Sequence, residues 1–289
     1  MSTQDLLQFI FAGLTGGAIY ALIALGFCVV HNTMGIVNFA QVDFVSLGGM
    51  LLYSALFSLG LAMPLALLGA VLGVVMVAML VERIGIRPAR SSDPLVLIFL
   101  TIGLSIILRG MMALIWGKTR MGVPPLAGEE PLRLLGAALM PQTVWILMLT
   151  GLAIGVLAWF YRKTRLGLSM RAVATNPAAA AVVGLPVGRV RMWTFGLAGG
   201  LGGLAGVLVT PITTLSHDVG VLLGLKGFAA AILGGFGSLP GAILGGLGLG
   251  LLESLSAGYI SSAYKDVCAF VVLLLVLFVR PQGLLGKST

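Results

Sequence analysis

Residues 161–191 read YRKTRLGLSMRAVATNPAAAAVVGLPVGRVR, a polar island in a chain otherwise almost wholly apolar. The island carries Arg162, Lys163, Arg165, Arg171, Arg189 and Arg191 and no acidic residue. Basic residues are retained on the cytoplasmic side of a membrane, so these six charges orient the whole chain and make residues 162–191 a cytoplasmic loop. Between its basic clusters lies an uncharged, alanine-rich segment, residues 172–184, long enough for a short helix and closed by Gly184, Leu185 and Pro186. An exposed small-residue helix held between membrane anchors, with no chemistry of its own, reads as a docking surface for another protein.

Composition agrees with the membrane reading. Of 289 residues, 59% are hydrophobic and 9% charged, and mean hydropathy is +1.12; soluble domains carry about a quarter charged residues. The chain is expected to be an all-α polytopic membrane protein forming one domain over residues 1–289. The net charge of +8 does not point to nucleic acid, because the basic residues fall in the breaks between apolar runs, where orientation explains them. Cys28 and Cys268 lie inside apolar runs and read as packing residues, so no disulfide framework or metal site is expected.

Outward from the island, the spans follow from the apolar runs. The start, MSTQDLLQF, has no basic residue and so no signal-peptide n-region, and residues 6–30 are expected to stay as a span. Residues 44–81 are barely enough for two passes hinged at 60–64. Just before them, Asn38, Gln41 and Asp43 put polar groups at membrane depth, tolerable only against protein or a water-filled path. Arg83, Arg87 and Arg90 make residues 82–93 a second cytoplasmic loop. In the span 94–116, Arg109 reads either as snorkelling or as lining a pore.

The nearly balanced stretch 117–142, with Lys118, Arg120, Glu129, Glu130 and Arg133, is expected outside, as is the turn at His217 and Asp218. Residues 219–252 are long for one pass and are broken by LGGFGSLPG, residues 233–241, since Pro240 lacks an amide donor and glycine favours bent backbone. A short last span over 267–279, lengthened by snorkelling of Lys265, leads to a cytoplasmic tail with Arg280 and Lys287. About eight full or partial crossings result, with the N-terminus outside. The two interrupted segments, 38–49 and 226–241, fall one in each half and are the sequence pointer to a translocation path: Asn38, Gln41 and Asp43 in one, Gly234, Gly235, Gly237 and Pro240 in the other.

Forty-two glycines invite nucleotide-binding readings. Gly286-Lys287-Ser288 resembles the end of a phosphate loop, but Pro281 stands where the first glycine is needed and no strand–helix unit surrounds it. The four-residue spacings Gly13/Gly17, Gly199/Gly203, Gly202/Gly206, Gly237/Gly241/Gly245 and Gly246/Gly250 fit close helix packing instead. Two histidines, scattered carboxylates and no HExxH or GxSxG leave an enzyme without parts, and no cofactor is expected. An ion-coupled secondary transporter, with Asp43 or Glu253 binding the ion, is the rival to a subunit that docks on a partner.

Five stretches together resemble the membrane subunits of ABC importers for branched-chain amino acids, the LivH/LivM type. They are GLTGGAIYALIALGF (13–27), NFAQ (38–41), RLGLSMRAVATNPAAAAVVGLP (165–186), KGFAAAILGGFGSLPGAILGG (226–246) and RPQGLLG (280–286). The resemblance implies a permease subunit of the bacterial inner membrane, without an ATPase site of its own. It implies as partners a second related permease, two cytoplasmic ABC ATPases and an extracytoplasmic solute-binding protein. It makes the loop from Arg171 through Asn176, Pro177, Ala179, Ala180 and Gly184 to Pro186 the helix that seats in the ATPase. Relatives of this kind carry leucine, isoleucine and valine, other amino acids, or urea and short amides. After Asn38-Phe39-Ala40 the family has histidine and glycine, where this chain has Gln41 and Val42.

Overall fold

The structure is a computed structural model that describes residues 3–89, 93–126, 128, 130–134 and 137–286. Arg90, Glu129, Lys287 and Ser288 lie outside these residues. Helices dominate. The order is α1 (Thr3–Met34), α2 (Gln41–Phe57), α3 (Met63–Leu80) running into a π-helical segment (Val81–Ile86), α4 (Pro94–Trp116), a two-strand hairpin β1 (Leu132–Leu134) and β2 (Ala137–Leu139), α5 (Pro141–Lys163), α6 (Arg165–Thr175), α7 (Pro177–Val182), α8 (Val187–Val209), α9 (Val219–Gly234), α10 (Leu239–Tyr259) and α11 (Lys265–Val279). Six of these are long and apolar enough to span a membrane: α1, α3 with its π-helical end, α4, α5, α8 and α10. Together with the shorter helices α2, α9 and α11, they make the chain an all-α polytopic membrane protein.

Prolines mark beginnings, not interruptions. Pro64, Pro94, Pro141, Pro177 and Pro240 each stand in the first turn of a helix, where the missing amide has no intrahelical partner to lose. Asp93 caps α4 by accepting from the Leu95 amide at 2.9 Å.

The bundle is built around α1, in which every residue from 17 to 30 is buried. Glycine sets the approach of its neighbours. A methyl group at Gly13 or Gly17 would lie 2.8 Å from the backbone of Leu251 or Leu247, so α1 and α10 pack antiparallel and nearly backbone to backbone. Two glycine rows of α8 serve different partners: Gly199 and Gly203 face Ala78 and Val74 on α3, whereas Gly202 and Gly206 face Gln41, Phe44 and Val45 on α2. Gly241 and Gly245 seat α10 against Gly234 and Ala230 of α9. Gly237 departs from the packing expectation: it lies between helices with φ +92°, a conformation that glycine adopts at no steric cost.

Two contacts define opposite ends. Arg87 lies against Gly188, 3.4 Å from a methyl group added there, so the two basic loops share one end. At the other end Met121 and Leu215 exchange both backbone hydrogen bonds, at 2.8 Å each. There Asp218 is exposed to solvent, and the hydroxyl of Ser216 donating to it holds its carboxyl below the usual range. The hairpin lies in the same inter-helix region, residues 117–140, which the sequence marks only as a polar loop.

Candidate functional site: a basic bracket and a half-depth helix

At the basic end α5 and α8 are joined by the α6–α7 bracket, and each turn of it has a local cause. Thr164 caps α6 by accepting from Gly167 N at 3.0 Å. Asn176 caps α7 by accepting from Ala179 N at 3.0 Å, and Pro177 opens the helix. α7 ends at Val182, and Gly184 just beyond it, with φ +83°, lets Leu185 N reach Ala180 O at 3.0 Å. Asn176, Pro177 and Gly184 therefore shape the bracket.

Its two faces differ. Met170, Val173, Ala180 and Val190 form a small core. Ala180 is 4% exposed and so belongs to that core, which corrects its expected place on the contact surface. Arg171, Ala179 and Pro186 are exposed, and so are two residues the sequence reading passed over: Val182 at 88% and Val183 at 75%. Alanine runs show no periodicity, so which alanine faces inward was legible only once α6 was in place. On the bundle side, Arg171 and Arg162 line a cavity of about 510 Å3 with Asn32, Thr33 and Tyr161, which links the bracket to the end of α1.

The second feature is the start of α2. Gln41 Nε2 donates to Ala198 O at 2.9 Å, and Ala198 lies eleven residues into α8, about 16 Å from its beginning at 1.5 Å per residue. α2 thus begins at half the depth of the bundle and runs parallel to the half of α8 farther from the basic end. The turn before it is self-satisfied in part: Asn38 Oδ1 accepts from Ala40 N at 3.1 Å, and Phe39 N donates to Thr101 Oγ1 at 3.1 Å. Among the described residues Asn38 Nδ2 and Gln41 Oε1 have no hydrogen-bond partner, although both residues are fully buried. Asp43, also fully buried, accepts from Ser105 Oγ and pairs with Arg109, whose Nε stands 3.1 Å away. Arg109 therefore turns into the protein toward Asp43, and the snorkelling alternative is not what the structure holds.

The α9–α10 break is closed differently from the expectation that its freed backbone faces a path. Leu284 N and Leu285 N donate to Leu233 O and Gly234 O, each at 2.9 Å. The tail, residues 283–286, covers Gly234 and Gly235, which are buried; Pro240 is exposed in the first turn of α10. Gly237 O accepts from Asn32 Nδ2 at 2.8 Å, and Phe236 stacks edge-on against His31 at 4.6 Å. The break is a junction of α1, α9, α10 and the tail, beside the cavity under the bracket.

Comparisons with known proteins carry the reading further. The family described as the branched-chain amino acid transport system permease component matches residues 9–277. The high-affinity branched-chain amino acid transport system permease protein LivH of Escherichia coli (strain K12) is 36% identical over 304 residues, covering 99% of this chain and 98% of LivH. BraD of Pseudomonas aeruginosa, named for the same transport, is 33% identical, covering 97% of this chain and 96% of BraD. The ribose import permease protein RbsC of Escherichia coli (strain K12) is 32% identical over 149 residues, 48% of this chain and 45% of RbsC. The bracket and the half-depth helix thus stand in a chain that belongs to the family of branched-chain amino acid ABC transport permeases.

Proposed function

We propose that this chain is the membrane-spanning subunit of an ABC importer that moves branched-chain or other small amino acids across a bacterial inner membrane. Energy comes from ATP hydrolysis on partner subunits, and the chain itself performs no covalent chemistry. Its partners are a second homologous permease, two cytoplasmic ABC ATPases, an extracytoplasmic solute-binding protein that delivers the small-molecule substrate, and the lipid bilayer.

The observation that carries this reading is the bracket. It is a capped, separately cored helix pair between two spans, with Val182 and Val183 turned outward at the basic end. An ATPase gripping α7 through Ala179, Val182 and Val183 moves α6 with it, because Met170, Val173 and Ala180 share one core. α6 adjoins the inner ends of α1, α5 and α8. Closure of the ATPases is thereby converted into a shift of three helices, one of two discrete arrangements that alternating access requires. The path runs beside the start of α2, where Asn38 Nδ2 and Gln41 Oε1 retain unused hydrogen-bonding capacity.

The pairing of Asp43 with Arg109 supports the importer over an ion-coupled carrier that uses Asp43, since that buried carboxylate already has a side-chain cation. Affinity purification of the chain from its native membrane, followed by mass spectrometry, tests the assembly. Two ATP-binding-cassette subunits and a second permease are expected; recovery of the chain alone under conditions that retain other membrane complexes contradicts it.

A further inference from the structure

Two grooves open toward the end of the bundle opposite α6 and α7, and both are lined by the same face of α1: Ala12, Gly16 and Tyr20, four residues apart. The first, about 330 Å3, is walled by Ile19, Val209, Ile212 and Leu223. The second, about 220 Å3, runs between α1 and α10 and reaches Glu253 and Lys265. Among the described residues a methyl group at Gly16 would meet only the Tyr20 ring, at 3.9 Å, so the shared face has room for a ligand backbone.

Glu253 is the hub of a charge cluster drawn from four helices. Lys226 Nζ stands 2.6 Å from Glu253 Oε1 and 2.7 Å from Asp266 Oδ1, and Tyr20 donates to Glu253 Oε2 at 2.7 Å. Lys265 Nζ is 3.6 Å from Glu253 Oε1, beyond hydrogen-bonding distance, and its side chain is 44% exposed. The two lysines and two carboxylates sum to zero charge. Lys226 is committed to two carboxylates, whereas Lys265 is a cation able to turn toward an incoming carboxylate and leave Glu253 facing an ammonium group.

We propose that this face of α1 is a low-affinity substrate site for an α-amino acid with an aliphatic side chain. Lys265 takes the carboxylate, Glu253 the ammonium, and the groove beside Ile19, Ile212 and Leu223 the side chain. A net-neutral cluster suits a zwitterion, because a ligand of one charge leaves a poorly solvated charge without its counterpart. The substrate class rests on the transport function proposed above. None of the residues involved belongs to the α2 start or to the α9–α10 junction.

The test uses the full complex with its ATPases in proteoliposomes, carrying Ala12→Cys in a background lacking Cys28 and Cys268. Modification of that cysteine by a membrane-impermeant thiol reagent is followed without the binding protein. The competitors are L-leucine, glycine, 4-methylpentanoate, which lacks the amine, and 3-methylbutylamine, which lacks the carboxylate. Leucine at ten times its dissociation constant is expected to slow modification about tenfold. At the same concentration glycine protects less and the two singly charged analogues do not protect. Lys265→Gln and Glu253→Gln each abolish protection by leucine, and the partly exposed Lys265 serves where Glu253→Gln assembles poorly. Protection absent with leucine, equal among all four competitors, or intact in both variants overturns the site. ATP-driven leucine uptake by the cysteine-free complex with Ala12 intact, supplied with its binding protein, is measured in parallel: uptake without protection refutes the site alone, and absence of uptake refutes the transport reading.

Discussion

Replacing Val182 and Val183 together by serine isolates the docking surface from the fold of the bracket. The two side chains are 88% and 75% exposed, and α7 is held by the Asn176 cap, the Gly184 turn and the core around Ala180, none of which the substitution touches. Fully burying one valine is worth about 1.5 kcal/mol at the low end, so seating both in a partner contributes roughly 3 kcal/mol, or about two decades in affinity. Titrating the purified ATPase subunits onto nanodisc-embedded permease gives the dissociation constant directly. A weakening of about a hundredfold with unchanged thermal stability is expected. Affinity within about threefold of the unmodified chain refutes the assignment of this surface. Ala180→Arg is the instructive contrast: with Ala180 packed on Met170, Val173 and Val190, the arginine disrupts the bracket itself, so lost binding there says nothing about docking.

Three further outcomes follow from contacts elsewhere. Gly206→Ala places a methyl group against the Val45 carbonyl and is expected to lower stability by about 1–3 kcal/mol. Gly151→Ala on α5 meets nothing within 4 Å among the described residues and is expected to be neutral or to stabilise by up to about 1 kcal/mol; thermal unfolding in detergent compares them. Arg109→Met leaves Asp43 buried without its cation and costs about 3–5 kcal/mol, most of which Asp43→Asn in the same chain restores, as a double-mutant cycle would read. A cysteine at Thr175, exposed at the end of α6, is labelled by an impermeant reagent only from the cytoplasmic side; labelling only from outside inverts the orientation.

What could be read from the sequence was what local chemistry announces. The glycines and proline of residues 233–241 bend backbone wherever they stand, and α9 ends at Gly234 and α10 begins at Leu239. Charge asymmetry placed residues 82–93 and 162–191 on one side, and the Arg87–Gly188 contact joins them. Long-range pairing was not legible. RPQGLLG and LGGFGSLPG each mark the family, yet only the fold shows Leu284 and Leu285 completing the hydrogen bonds of Leu233 and Gly234. Lys226, Glu253 and Asp266 look scattered along the chain because the cluster forms only when α9, α10 and α11 pack. The Asp43–Arg109 pair escaped for the same reason: the two residues are 66 positions apart on different helices.

The central claim is that movement of substrate is driven through the α6–α7 bracket by partner ATPases. Substrate uptake into proteoliposomes tests it most directly, comparing the chain alone under an imposed proton or sodium gradient with the full complex supplied with binding protein and ATP. The account predicts accumulation only in the ATP-supplied complex, and its loss there when Val182 and Val183 are both serine. Gradient-driven accumulation by the chain alone would contradict it.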